Sequence, residues 1–123
     1  MRRIELQDDN VTIILTGLTM LEALQGRLVI PYANIRRVHP ELHLPSNLVK
    51  LGGTTIGATP EGHFMGDDGW YFLSFEHQDR VITIELEDFY LGRQMYHAVT
   101  VEVDTPEETA AAIQNRIPST ARD

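Results

Sequence analysis

Residues 80–103 read RVITIELEDFYLGRQMYHAVTVEV, and the fold class turns on how they are taken. In the first part Ile82, Ile84 and Leu86 alternate with Thr83 and Glu85; in the last, Val99, Val101 and Val103 alternate with Thr100 and Glu102. Successive side chains of an extended chain point to opposite faces. A period of two with β-branched residues therefore marks strands that bury one face. Between the two runs DFYLGRQ reads as a turn, so the stretch is a hairpin. Strict alternation places His97 on the same side of its strand as Val99.

The same grammar extends towards the N-terminus. Ile4 and Leu6 alternate with polar residues, QDDN (7–10) turns, and VTIIL (11–15) answers as a second strand. RLVIPY (27–32) is another strand. Pro31 ends it or puts it at a sheet edge, because proline cannot donate to the ladder. NIRRV (34–38) reads as a short strand and HPELHLPSN (39–47), with two prolines, as a loop. Asp68-Gly69 between Phe64 and the run GWYFLSF (69–75) signals a hairpin, and EHQD (76–79) the next turn. A short helix is expected near residues 18–25, where Thr19 and Glu22 match a capping box and Gly26 suits a helix end.

Beyond the last strand, Thr105-Pro106-Glu107-Glu108 supplies an N-cap, a proline at the first helical position and a capping-box glutamate. Ala110, Ile113 and Ile117 then line one helix face before Pro118. A meander of this length must hide one apolar face and its edges. The expected fold is mainly β: a small bent antiparallel barrel of about seven strands with a C-terminal capping α-helix. It forms a single domain over residues 1–117, with 118–123 as a tail.

Composition narrows the function classes. Ten basic residues face eighteen carboxylates in 123 residues, for a formal charge of −8. Nucleic-acid phosphates and anionic lipid surfaces would repel such a chain unless its arginines gathered, and the only basic doublets are Arg2-Arg3 and Arg36-Arg37. No nucleic-acid partner is expected. With no cysteine, disulfides, thiol nucleophiles and thiolate-bound metals are excluded, which fits a reducing cytoplasm. No signal peptide is readable, and no apolar run approaches the ~20 residues of a membrane span. A cytoplasmic location is the expectation.

Four segments in order, IPYANIRRV (30–38), LGGTTIGATPEGHF (51–64), VITIELEDFY (81–90) and VTVEVDTPEETAAAI (99–113), resemble the bacterial pleckstrin-homology-like domains over residues 27–113. The resemblance implies a seven-stranded bent antiparallel barrel capped by the C-terminal helix, and it carries no catalytic residues. Some pleckstrin-homology domains hold phosphoinositides through basic residues around the first hairpin. Here that turn is Gln7-Asp8-Asp9-Asn10, and the only tryptophan, Trp70, is not in the terminal helix. Phosphoinositide or anionic-membrane binding is therefore not expected.

Candidate chemistry is sparse. The glycine-rich stretch at 48–64 lacks both the dinucleotide fingerprint and the Gly-Lys-Ser/Thr close of a phosphate loop. Its glycines, including those in 52–62, read as architectural, for bends and bulges. His39 and His43 stand four apart, but Pro40 and Pro45 argue against a helix there, so no metal or other cofactor is expected. His63 could meet Asp67 or Asp68 across a hairpin. Glu85 and Glu87 share a face, read as a solvated sheet face rather than a carboxylate pair. No serine sits in a nucleophile motif.

The aromatic run places Trp70 and Phe72 on one face and Tyr71, Leu73 and Phe75 on the other. With both faces apolar, one must be covered by the first helix, another strand layer or another subunit. Two function classes follow. The first is a non-enzymatic binding or assembly module that self-associates or docks a protein partner, with Trp70, Phe72, His63, Asp67 and Asp68 as candidate interaction surface. The alternative is a small-ligand-binding barrel or an unrecognised hydrolase with a pocket near His63, Asp67 and Asp68.

Overall fold

A computed structural model describes residues 2–15, 26–45, 48–50 and 61–118. The helix expected at 18–25, the glycines of 51–60 and the tail after Pro118 lie outside the described residues. Three strands, β1 (Arg2–Leu6), β2 (Asn10–Leu15) and β3 (Arg27–Pro31), form an antiparallel sheet in sequence order. Six more form a second sheet: β4 (Ile35–His39), β5 (Val49–Lys50), β6 (Glu61–Gly66), β7 (Gly69–Ser74), β8 (Val81–Leu91) and β9 (Gln94–Glu102). Their spatial order is β4-β8-β9-β7-β6-β5, and a helix, α1 (Pro106–Gln114), follows. The protein is thus mainly β with a C-terminal helix, as its periodicity indicates. The strands among the described residues number nine rather than about seven, and their ladders divide into two sheets without closing a barrel.

The alternating residues supply the core. Val11, Ile13 and Leu15 of β2 and Leu28 and Ile30 of β3 cluster with Ile82, Ile84 and Leu86 of β8 and Val99 and Val101 of β9. Ala110 and Ile113 join the same cluster from the helix, and Ile117 joins it too although the helix ends earlier than expected, at Gln114. Each such aliphatic side chain taken wholly out of water contributes roughly 1.5–3 kcal/mol. Polar links fasten the layers. The Arg2 Nε donates to Ser74 Oγ at 2.8 Å, joining β1 to β7, and the Tyr32 hydroxyl donates to the Gln7 carbonyl at 2.8 Å where the chain leaves the first sheet. On the edge strand β4, the Val38 N–H donates to Gln114 Oε1 at 2.9 Å, so the helix satisfies a group an edge would leave open.

Two local readings shift. Thr105 is the N-cap residue of α1, but its hydroxyl makes no capping bond; Pro106, already fixed near helical φ, starts the helix, and Thr109 N–H closes the first turn on the Thr105 carbonyl at 2.9 Å. DFYLGRQ is mostly strand rather than turn. The ladder between β8 and β9 breaks between Glu85 and Phe89, with Asp88 at φ 54°, then resumes to Leu91, leaving only Gly92-Arg93 to turn. This bulge resets the alternation and lets Phe89 enter the core.

The largest departure is topological. β7 and β8 are consecutive yet do not pair: β9 lies between them, parallel to β7 and antiparallel to β8. Residues 75–80 must therefore cross the end of β9. Glu102, the last residue of β9, holds that crossing, accepting the N–H groups of Glu76 (2.7 Å) and His77 (2.8 Å) and lying 3.0 Å from His77 Nδ1. Val103 N–H adds a bond to the Arg80 carbonyl at 2.8 Å.

Burial alone would raise the Glu102 carboxyl, but the His77 and Glu76 N–H groups and the His77 ring together outweigh it and lower its pKa from 4.5 to about 2. A carboxylate depressed in the folded state contributes stability above its ordinary value and loses it as the pH falls towards the folded value. Glu102→Gln is expected to cost roughly 1.5–3 kcal/mol at neutral pH in urea unfolding, and the gap from the parent protein should narrow between about pH 5 and pH 2.

Candidate functional site

The second sheet carries apolar residues on its outer face too. Leu73, Phe75 and Val81 form a separate cluster there, covered by Leu42 and Leu44 of the proline-bounded loop and packed with Leu48 and Phe64. One side chain anchors this cover. The Thr83 hydroxyl, wholly buried, donates to the Glu41 carbonyl at 2.9 Å, accepts the His43 N–H at 3.1 Å and lies 3.1 Å from Thr100 Oγ1. A threonine hydroxyl has one donor and two acceptor sites, so these partners use its full capacity. Among the described residues, the second apolar face of the aromatic strand is therefore packed by this loop together with Leu48 and Phe64.

The residues expected at a surface or pocket are distributed accordingly. Phe72 is fully buried and Trp70 is half-buried against the main core, its ring 6.1 Å from that of Tyr96; Phe72 offers no interaction surface. His63 pairs across the ladder with Phe72, meets its ring edge-on at 5.2 Å, and has its Nδ1 2.6 Å from the Tyr96 hydroxyl. Asp68 serves the other side of the sheet, accepting the Tyr71 hydroxyl at 2.9 and 3.1 Å. Burial, reinforced by the Asp68 carboxylate, raises the Tyr71 pKa and keeps the phenol protonated. Asp67 lies exposed in the hairpin turn. Among the described residues His63 and Asp68 therefore meet different partners, His63 the Tyr96 hydroxyl and Asp68, in the hairpin turn, the Tyr71 hydroxyl.

Asp68 instead belongs to a groove of about 610 Å³ between the loop and strands β7, β8 and β9, lined among others by Leu42, Leu44, Tyr71 and Ala98. Two ladder irregularities turn extra side chains into it. On β4 the register shifts between Ile35 and Arg37, and Arg36 lines the groove. On β9 Tyr96 pairs with Trp70 but Ala98 with Tyr71, leaving His97 as the additional residue. His97 therefore faces Tyr71, ring centroids 6.0 Å apart, and its Nε2 meets the Asp68 carbonyl. It does not share Val99's side, because the bulge breaks the alternation. Gly69, at φ +144°, permits this approach: a Cβ there would lie 2.7 Å from His97 Cδ2.

At one side of the groove His39, His43 and Glu85 converge, their ligand-capable atoms all within 4.8 Å of one another. The two imidazoles stack with centroids 4.0 Å apart and planes 15° from parallel. His39 Nε2 is in contact with Glu85 Oε2, and Arg37 Nε lies 3.8 Å from the same oxygen. The prolines do exclude a helix at 39–43, but the loop they shape brings the histidines together anyway. Glu85 was the partner spacing alone could not provide; the available signal was its place two residues after Thr83, on the same outer face of β8. Glu87 stays exposed, with its carbonyl accepting from Asn34 Nδ2 at 3.1 Å, so the two glutamates form no carboxylate pair.

No family model, curated protein or solved structure matches this chain. Among the described residues no helix is long and apolar enough to cross a membrane.

Thr83→Val removes the loop's anchor while keeping the strand's shape. It is expected to cost roughly 1–3 kcal/mol and to accelerate amide hydrogen exchange at His43, with the far-ultraviolet spectrum of the sheets retained.

Proposed function

We propose that this protein is a non-enzymatic binding module that takes a small anionic organic ligand in the groove on the outer face of its second sheet. The carrying observation is how the groove's charges are used. Its carboxylates are already engaged, Asp68 by the Tyr71 hydroxyl and Glu85 by His39 and Arg37. Arg36 lines the same groove and makes no hydrogen bond or ion pair among the described residues. Beside it Leu42, Leu44 and Tyr71 offer an apolar wall. An occupant with a flat apolar body and one anionic group fits that lining, since a guanidinium binds such groups by charge-assisted hydrogen bonds.

This reading keeps the non-enzymatic character of the first expectation, takes the small ligand from the alternative, and moves the site from the Trp70–Phe72 face to the groove. A pleckstrin-homology-like kinship belongs to the same proposal, supported by the final strand leading into a capping helix. A cytoplasmic setting does too, supported by the absence of cysteine. Self-association finds less support. The large apolar side chains exposed among the described residues, Val29, Met65 and Tyr90, stand on β3, β6 and β8, no two of which are neighbours.

Anilinonaphthalene sulfonate, an aromatic anion, tests the groove by fluorescence titration of the folded protein. Saturable binding is expected, about tenfold weaker in Arg36→Ala and unchanged in Arg3→Ala on the other sheet. Absence of saturable binding, or equal affinity in the parent and Arg36→Ala, would overturn the assignment.

A further inference from the structure

We infer that His39, His43 and Glu85 form a divalent transition-metal site, with zinc the ion its donor set suits best. The inference does not rest on the organic ligand proposed for the groove; it stands on the chemistry and placement of three side chains. Two imidazole nitrogens and one carboxylate oxygen make a borderline donor set of the kind that holds zinc in sites with an open fourth position. A tetrahedral zinc with bonds of about 2.0–2.1 Å keeps its donors roughly 3.3–3.5 Å apart. Here the candidate atoms lie within 4.8 Å of one another, so rotations of the side chains suffice to close the set.

The cluster is built rather than incidental. His39 ends β4, directly across the ladder from Thr83, and Glu85 stands on the same outer face of β8. Thr83 in turn fixes the backbone on which the third ligand is carried, through its bonds to the Glu41 carbonyl and the His43 N–H. One buried hydroxyl thereby holds the loop so that the His43 ring lies stacked on His39, beside Glu85. Ligands set on strands and on an anchored loop lose little freedom on binding an ion, which favours affinity. His39 and Glu85 are largely shielded, with side chains 17% and 28% exposed, whereas His43 is open to solvent and gives an ion a way in. Arg37 at 3.8 Å from Glu85 is the competing cation, and its side chain is 59% exposed, free to swing aside. Because His43 and Glu85 also line the groove, a bound ion would leave its remaining coordination position to water or to a donor atom of a groove occupant.

The test is calorimetric titration of the metal-stripped full chain with zinc alone, followed by cobalt(II) substitution to read coordination from the visible spectrum. One equivalent is expected to bind, with the intense absorption of a four-coordinate cobalt site and with zinc-induced shifts of the His39 and His43 ring resonances. His43→Ala removes an exposed ring and leaves the Thr83 anchor on the backbone; Glu85→Gln keeps the shape of the carboxylate. Each should lower zinc affinity by at least about 100-fold, while unfolding of the metal-free variants confirms that the fold is kept. No stoichiometric binding by the parent chain, or affinity unchanged in both variants, would overturn the site. Neither result bears on anilinonaphthalene sulfonate binding through Arg36, so the two proposals fail separately.

Discussion

The second sheet depends on a carboxylate that receives a backbone crossing. Inserting β9 between β7 and β8 forces residues 75–80 to pass over the strand's end. A crossing of this kind leaves N–H groups that no ladder can satisfy. Glu102 meets two of them with one side chain and draws His77 in as well. Its depressed pKa is the same fact seen from the proton's side: the anion is the form that the crossing needs.

With β9 in the middle, both faces of the sheet acquire work. The inner face meets β2, β3 and α1 in the main core; the outer face meets the loop that follows β4. Thr83 and Thr100, paired across β8 and β9, place hydroxyls where alternation alone would put a polar stripe facing water. Instead Thr83 pins the loop, and the loop encloses the groove and carries His43. The fold, the groove and the metal cluster thus share one small hydrogen-bond centre, a concentration typical of sites placed on rigid elements.

Much of the architecture was legible because it rests on local rules. The hairpin at Asp68-Gly69, the turn at 7–10, Pro31 at the end of an edge strand and the helix opening at Pro106 all follow from backbone chemistry within a few residues. The inner-face residues of β8 and β9 were legible too, since period-two burial needs no knowledge of the partner. His97 and the 88–91 segment were misread because bulges are not periodic: one extra residue reverses every side chain beyond it. The His63–Asp68 pairing failed for another reason. The two residues are near in sequence, but His63 lies within β6 and reaches Tyr96, whereas Asp68 sits in the hairpin turn and reaches Tyr71.

What the sequence by itself determined is the class of object: a strand-rich domain with one apolar helix face at its end, no thiol chemistry and a strongly acidic balance. These depend on residue type and short-range spacing, which every copy of the chain carries regardless of its partners in space. Only the tertiary structure decided that β9 separates β7 from β8, that a proline-bounded loop covers the aromatic strand, and that His39, His43 and Glu85 converge. Each of those outcomes joins residues some thirty or more positions apart or inserts a strand against sequence order. Such choices are made by the free energy of burying whole faces and pairing whole edges, and no local window of sequence contains that sum.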